Sequence, residues 1–374
     1  MTALLPKRSN RSPRRLSPLR RLEPLRLFEA LATPHGVDRY LELVNPMLTV
    51  RELRAEVTAV HRSTLDSVTL TLRPTRQWRG FKAGQFVNVT VEIDGVRRTR
   101  CYSPTCSQYR KDGLIEITIK RHPEGLVSQY LHANAAPGLV VQLSQADGVF
   151  HLPALRPERL LLVSGGSGIT PVLSMLRTLC DEGYSGEVVF LHYSNGEHDV
   201  ALLRELRELA AQHGNVRLVL AYTDATDGDL TGFFGPHHLA EVAPWFAESH
   251  TYLCGPPALM SSVKAHYAEA GLTDLLHIEE FQPAPIVVDD GEPTGTIAFG
   301  DTTAENSGET LLEQAEAAGL TPEYGCRMGI CFSCTQVKTS GCTRNIRTGE
   351  LHSDPDEEIQ LCINVPVGDV SIDL

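Results

Sequence analysis

At 374 residues, 42% of them hydrophobic and 6% aromatic, the chain is long enough for two or three ordinary cores, and no stretch approaches the roughly eighteen uninterrupted apolar residues of a spanning helix. The net charge of -12 is unevenly spread: residues 1–26 carry one Lys, seven Arg and one Glu, whereas residues 286–374 carry sixteen acids against four bases. That balance argues against a nucleic-acid binder, and a basic start without an apolar core argues against a secretion signal, so a cytoplasmic chain is expected, whose cysteines more often hold metal than disulfides.

Residues 1–50 are rich in Arg, Pro and Ser before LFEALATPHGVDRYLELVNP, and read as a basic disordered arm followed by one or two short helices. Over residues 51–155, short alternating runs such as SVTLTLRP, QFVNVTVEIDG and LIEITIKRH, broken by Gly, Pro and Asn, predict a small antiparallel barrel. From residue 156 to 281 the apolar runs RLLLVSGG, EVVFLHYS and VRLVLAYT alternate with helical stretches such as DVALLRELRELAAQ, the pattern of a parallel α/β sheet. Residues 282–294 read as a linker. The remaining residues, 295–374, form an acidic unit with a helix, ETLLEQAEAA, ending at Gly319, a cysteine loop and closing strands.

In LLLVSGGSGITPVLSML a strand runs into a glycine turn and a helix. Gly165, Gly166 and Gly168 permit the tight turn, and the helix start at Thr170 and Pro171 favours phosphate. Pro171 stands where the dinucleotide fingerprint has its third glycine, which argues against a Rossmann dehydrogenase. The stretch YGCRMGICFSC holds Cys326, Cys331 and Cys334, with Cys362 following after a long gap in QLCINVP. With nine cysteines in 374 positions, a C-x(4)-C-x(2)-C triplet is expected by chance in roughly 0.005 chains of this composition, so coincidence is a poor explanation. The spacing matches that of plant-type ferredoxins, in which four thiolates hold two irons and two sulfides. Zinc is the rival, but its structural sites usually use two paired ligand sets, and Cys362 stands alone. Gly325 and Gly329 let the loop wrap close enough for backbone N–H groups to approach sulfur. Cys342, off the motif, reads as a loop or packing cysteine.

From about Gly308 to Leu374 the chain resembles a plant-type 2Fe-2S ferredoxin domain, fused behind a part that resembles a ferredoxin-NADP reductase. The resemblance implies a multidomain α/β plus β protein: an antiparallel FAD-binding β-barrel, a parallel α/β NAD(P)-binding domain and a C-terminal β-grasp ferredoxin domain. In RTRCYSP it puts Arg100 on the flavin pyrophosphate, Tyr102 on the isoalloxazine and Ser103 at its reactive edge. The pieces suit these roles, as a charged fork for phosphate, a flat ring for a flat ring and a small hydroxyl for a ring nitrogen. In GLVSQYL it offers Gly125, Leu126, Val127 and the Ser128 hydroxyl to the pyrophosphate, with Lys120 and Arg121 bordering the adenosine. Gly165, Gly166, Ser167, Gly168, Thr170 and Pro171 then form the pyridine-nucleotide turn, and TYLCGPPALM presents Cys254, Gly255 and Pro256 beside the nicotinamide. Phe281 stands where such reductases carry an aromatic near the flavin. Tyr102, Ser103 and Cys254 border the hydride path.

The neutral Ser194 and Asn195 in FLHYSNGEHD, with His192 and Ser194 as phosphate partners, favour NADPH, with NADH as the alternative. A pyridine nucleotide gives two electrons, a cluster takes one, and a flavin can do both. The implied acceptor is a membrane fatty acyl desaturase of the stearoyl-CoA type, because LFEALATPHGVDRYLELVNPMLTVREL resembles the extension of reductases that serve such enzymes; the basic arm would touch the membrane peripherally. The alternatives are a ring-hydroxylating, phenylacetyl-CoA or other monooxygenase and, in a different class, a non-catalytic iron-sulfur sensor.

Overall fold

The computed structural model describes residues 37–123, 125–281, 293–325, 327, 329 and 332–374. The expected basic arm, most of the linker, Cys326 and Cys331 lie outside them. The described residues 37–51 belong to one unit and those from Glu52 onward to a second. In the first, the short helix α1 (Val37–Glu42) carries Asp38, whose buried carboxylate accepts from the backbone N–H of Val50 and of Arg51 at 2.5 and 2.9 Å.

The second unit opens with an antiparallel barrel of β1 (Arg54–Arg62), β2 (Ser67–Pro74), β3 (Val87–Ile93), β4 (Val96–Tyr102), β5 (Ile115–Lys120) and, after helix α2 (Leu126–Asn134), β6 (Val140–Leu143). The strand order is β4-β3-β6-β1-β2-β5, and a bridge between Pro104 and Ile117 joins the two outer strands. Closure removes the edges that an open sheet would leave unpaired. Alternation sends Val87, Val89, Val91 and Ile93 of β3 into one core with Leu70, Leu72, Ile117 and Ile119.

The next layer is a parallel sheet, built from β7 (Arg159–Gly165), helix α3 (Ile169–Asp181), β8 (Glu187–Ser194), helix α4 (Leu203–Gln212), β9 (Val216–Tyr222), β10 (Leu230–Thr231), helix α5 (Pro236–Val242), β11 (His250–Cys254), helix α6 (Pro257–Glu269) and β12 (Leu276–Glu279). Its order, β10-β9-β8-β7-β11-β12, places β7 and β11 side by side although 90 residues of chain separate Leu160 from its partner His250. Both faces of β7 are covered: Leu160 and Leu162 join one core, Leu161 and Val163 the other. Helix α4 starts later than DVALLRELRELAAQ suggests, because Leu202 adopts a left-handed φ of 59° that interrupts the turn.

The last layer contains β13 (Thr296–Phe299), β14 (Thr302–Glu305), helix α7 (Leu311–Ala317), β15 (Thr335–Asn345), β16 (Leu351–His352), β17 (Glu357–Gln360) and β18 (Asn364–Asp373). β13 and β18 pair in parallel, while β18 and β15 pair antiparallel, the mixed arrangement of a β-grasp domain. Thr310 and Glu313 form a capping box that starts α7, and Gly319 follows its end at φ 84°. Cys342 lies within β15, half-buried beside a bulge, and not in a loop. Among the described residues no helix is long and apolar enough to cross a membrane.

Candidate functional site

A cavity of about 840 Å³ opens between the barrel and the parallel sheet. The barrel lines it with Arg100, Tyr102, Ser103, Lys120 and Arg121, the loop into α2 with Gly125, Val127 and Ser128, the parallel sheet with Ser167, Thr170, Asn195 and Asp199, and the end of β12 with Glu279 and Phe281. Residues from four separate motifs of the sequence thus share one wall. The volume suits a large cofactor rather than a small metabolite.

Ser103 is 2% exposed, and its hydroxyl has no hydrogen-bond partner. A buried hydroxyl without a partner is costly, and this one awaits a ligand atom in the cavity. Helix α2 has no side-chain cap at its N-terminus, so its first-turn amides at Leu126, Val127 and Ser128 face the loop as free donors with the positive end of the helix dipole. The Ser128 hydroxyl departs from expectation. It donates to Gly125 O at 2.9 Å and accepts from His122 N at 3.1 Å, so it shapes the loop and leaves anion contacts to the backbone. These features fit a flavin pyrophosphate and ring edge.

The two nucleotide motifs interlock at the carboxyl ends of β7 and β11, where Ser164 pairs with Cys254. This is the switch point of a doubly wound sheet, where ligands bind. A Cβ on Gly165 would stand 2.8 Å from Pro256 Cδ, and one on Gly255 3.1 Å from Gly165 N. Gly166 has a φ of 51° with open space beyond it. Pro171 is buried in the first turn of α3. Cys254 is fully buried, and burial pushes its thiol well above the usual range, so it stands as a neutral, covered group behind the glycine turn.

Ser194 and His192 do not face the cavity. Ser194 is 6% exposed and donates to Gly196 O at 3.1 Å; His192 is fully buried against the Ser164 hydroxyl at 2.8 Å, and burial pulls its pKa down to about 3. Neutral His192 is therefore no phosphate partner, and Asn195 alone of this group reaches the cavity wall. Nearby, Lys120 Nζ lies 2.5 Å from Asp199 and 3.5 Å from Asp66.

Sequence reasoning passed over Glu279. Burial raises its pKa to about 7 against the opposing pull of Arg347, which lies in the β15–β16 turn. An acid two positions before the aromatic of HIEEFQP, at a strand end, was the available signal.

Around the cysteine loop, Cys334 and Cys362 are 1% and 4% exposed, and the backbone N–H of Gly329 donates to Cys362 Sγ at 3.3 Å. Gly329 has a φ of 72°, and a Cβ there would stand 2.5 Å from Ile363 Cδ1, so the close wrap needs glycine. An amide directed at a buried thiolate sulfur suits an iron-sulfur ligand.

Family models for an oxidoreductase FAD-binding domain, an oxidoreductase NAD-binding domain and a 2Fe-2S iron-sulfur cluster binding domain match residues 55–152, 162–265 and 296–362. The chain is 35% identical to an NADPH oxidoreductase of Mycobacterium tuberculosis, over 92% of this chain and 90% of that one. The chain belongs to the ferredoxin-NADP reductase-type flavoproteins with a C-terminal 2Fe-2S ferredoxin domain. This flavoreductase is also 32% identical to the glycine betaine monooxygenase reductase subunit of Pseudomonas aeruginosa, over 78% of its own length and 87% of the other. The FAD/NAD-binding domain of nitric oxide dioxygenase from Vibrio cholerae aligns at a TM-score of 0.56 and 28% identity, covering 62% of this chain and all of that one. Phthalate dioxygenase reductase shares the fold across 87% of this chain and 98% of its own, at a TM-score of 0.57 and 24% identity. The flavoreductase is an NAD(P)H oxidoreductase whose cofactors are FAD and a 2Fe-2S cluster.

Proposed function

We propose that this flavoreductase takes electrons from NADPH and delivers them singly, through FAD and the 2Fe-2S cluster, to a partner oxygenase, and that the partner is a membrane fatty acyl desaturase of the stearoyl-CoA type. The reading rests chiefly on one cavity walled by the barrel, the nucleotide turn and the strand leading to the ferredoxin domain. Bound FAD supplies the change from two-electron to one-electron chemistry. Tyr102 would pack on the flavin ring, Ser103 would donate to its reactive edge, and Arg100 with the α2 amides would hold the pyrophosphate. The Gly165–Pro171 turn and the facing Cys254–Pro256 segment receive the nicotinamide half, with Cys254 as a neutral packing group behind it. Cys326, Cys331, Cys334 and Cys362 hold the cluster. The domains run over 51–155, 156–281 and 295–374, after the arm and short helix of 1–50 and joined by the linker of 282–294.

Relatives that serve monooxygenases, such as the 3-ketosteroid-9-alpha-monooxygenase reductase component of Mycolicibacterium smegmatis, support an oxygenase as acceptor. The segment before the barrel favours the desaturase. LFEALATPHGVDRYLELVNPMLTVREL resembles the extension of reductases that serve such enzymes, and the net +7 of residues 1–26 suits an anionic membrane surface, at about 1 kcal/mol per basic residue. Asn195, the NADPH oxidoreductase relative and the lack of an acid at Ser194 support NADPH over NADH. Reconstitution with a stearoyl-CoA desaturase in vesicles tests the proposal. Desaturation dependent on NADPH is expected, falling to background in Cys331→Ser while ferricyanide reduction persists. Full transfer by Cys331→Ser would refute the cluster's role, and transfer only to a soluble oxygenase would refute the desaturase. Binding to anionic vesicles should drop when residues 1–26 are deleted.

A further inference from the structure

Two arginines of β4 reach across to the ferredoxin domain. Arg98 Nη1 donates to the Tyr324 hydroxyl at 2.9 Å, and Arg100 Nη1 donates to Gly325 O at 2.5 Å. Their positions, two apart on a strand, project from one face of the sheet. Both guanidinium carbons lie over the Tyr324 ring, at 5.3 and 5.8 Å from its centroid, while Arg327 lies over it at 4.0 Å. The Tyr324 ring itself packs on the ferredoxin core. Three like charges around one ring repel one another, and only a fixed geometry offsets this: the ring face, the phenol oxygen, the Gly325 carbonyl and, for Arg327, the Glu316 carboxylate at 2.5 Å. A linker that merely tethers two independent halves would need none of this.

We infer that Arg98 and Tyr324 are positioning residues, which dock the ferredoxin domain through Tyr324 and Gly325 against the strand that lines the flavin cavity, for electron transfer within the chain. Tyr324 is two positions before Cys326 in the sequence, and Arg100, whose Nη1 holds the neighbouring Gly325 carbonyl, lines the cavity, so a single side chain joins the cavity wall to Gly325. Each transfer would carry one electron to the cluster, and one NAD(P)H, oxidised to NAD(P)+ with loss of a hydride, would supply two such transfers through the flavin, so no other reductant is needed. The inference rests on the flavin-to-cluster order of electron flow proposed above.

The test uses the full-length holoprotein with Arg98→Ala or Tyr324→Phe, mixed anaerobically with NADPH while flavin and cluster bleaching are followed separately. Flavin bleaching and ferricyanide turnover should be unchanged. Cluster bleaching should slow by about tenfold or more, since small misplacements of reacting partners are costly. The EPR signal of the dithionite-reduced cluster should be unaltered, and the radius of gyration from small-angle scattering should rise. Arg98→Lys, which keeps a donor for the Tyr324 hydroxyl, should recover part of the rate. Wild-type cluster bleaching in both variants would overturn the inference; should Tyr324→Phe lose its cluster, Arg98→Ala, on the barrel, decides alone. A wild-type cluster that NADPH never reduces would instead overturn the order of electron flow.

Discussion

Gly168 and Cys254 are packed so closely that a Cβ on the glycine would lie 2.2 Å from the Cys254 carbonyl oxygen. Cys254 ends β11 and Gly168 is the N-cap of α3 just after the turn from β7, so neither backbone can retreat cheaply. Gly168→Ala should therefore part the two nucleotide segments, raise KM for NADPH by about tenfold or more and destabilise the protein by about 1–3 kcal/mol, while FAD absorbance is retained. Steady-state kinetics and thermal unfolding measure both effects.

Ser103 invites the opposite combination. Its hydroxyl lacks a partner in the protein, so Ser103→Ala should leave the stability of the flavin-free protein unchanged or raise it. On the proposed reading, in which this hydroxyl donates to the flavin edge, turnover with NADPH and ferricyanide should fall by about tenfold. Equal loss of stability and turnover would mean that the hydroxyl serves the fold.

Glu279 gives a pH signature. Its pKa is about 7 in the fold against an ordinary 4.5, so it binds its proton more tightly when folded. Its stabilising contribution is complete below about 4.5 and is lost as pH rises through about 7. The unfolding temperature of wild type relative to Glu279→Gln should decline from about pH 5 to about pH 8, by the equivalent of about 2–3 kcal/mol. A flat difference would show that the carboxyl is not held neutral.

Transfer to a basic acceptor should weaken with salt through Asp356 and Glu358, which are exposed. Glu357 should contribute less, since its carboxylate already meets His352 at 2.6 Å. Neutralising Asp356 and Glu358 together should flatten the salt dependence of acceptor reduction, and Glu357→Gln should leave most of it.

The parts legible in the sequence were those with rigid spacing. Cluster ligands must fall at set intervals, and glycine turns at strand ends admit few residue types, so Gly329 and the Gly165–Gly168 turn announced themselves. Strand β8 was harder: with its residues from Val188 to Ser194 all buried, alternation carries no information about which side chain reaches the cavity, and Ser194 was chosen where Asn195 faces it. The pairing of Arg98 with Tyr324 spans 226 positions and follows no local period. Arg100 read as a phosphate ligand alone, although a guanidinium has donors enough to serve two partners.

Phe281 lines the cavity, and β13 begins at Thr296, so fifteen positions of one chain separate the nucleotide site from the ferredoxin domain. Joining donor and recipient in this way holds them at an effective concentration on the order of millimolar, whatever the concentration of the protein. The internal handover therefore stays first order on dilution, whereas delivery to a separate acceptor is second order and slows. Where acceptor is scarce, the ferredoxin domain will remain loaded, and the supply of acceptor, rather than that of NADPH, will set the flux.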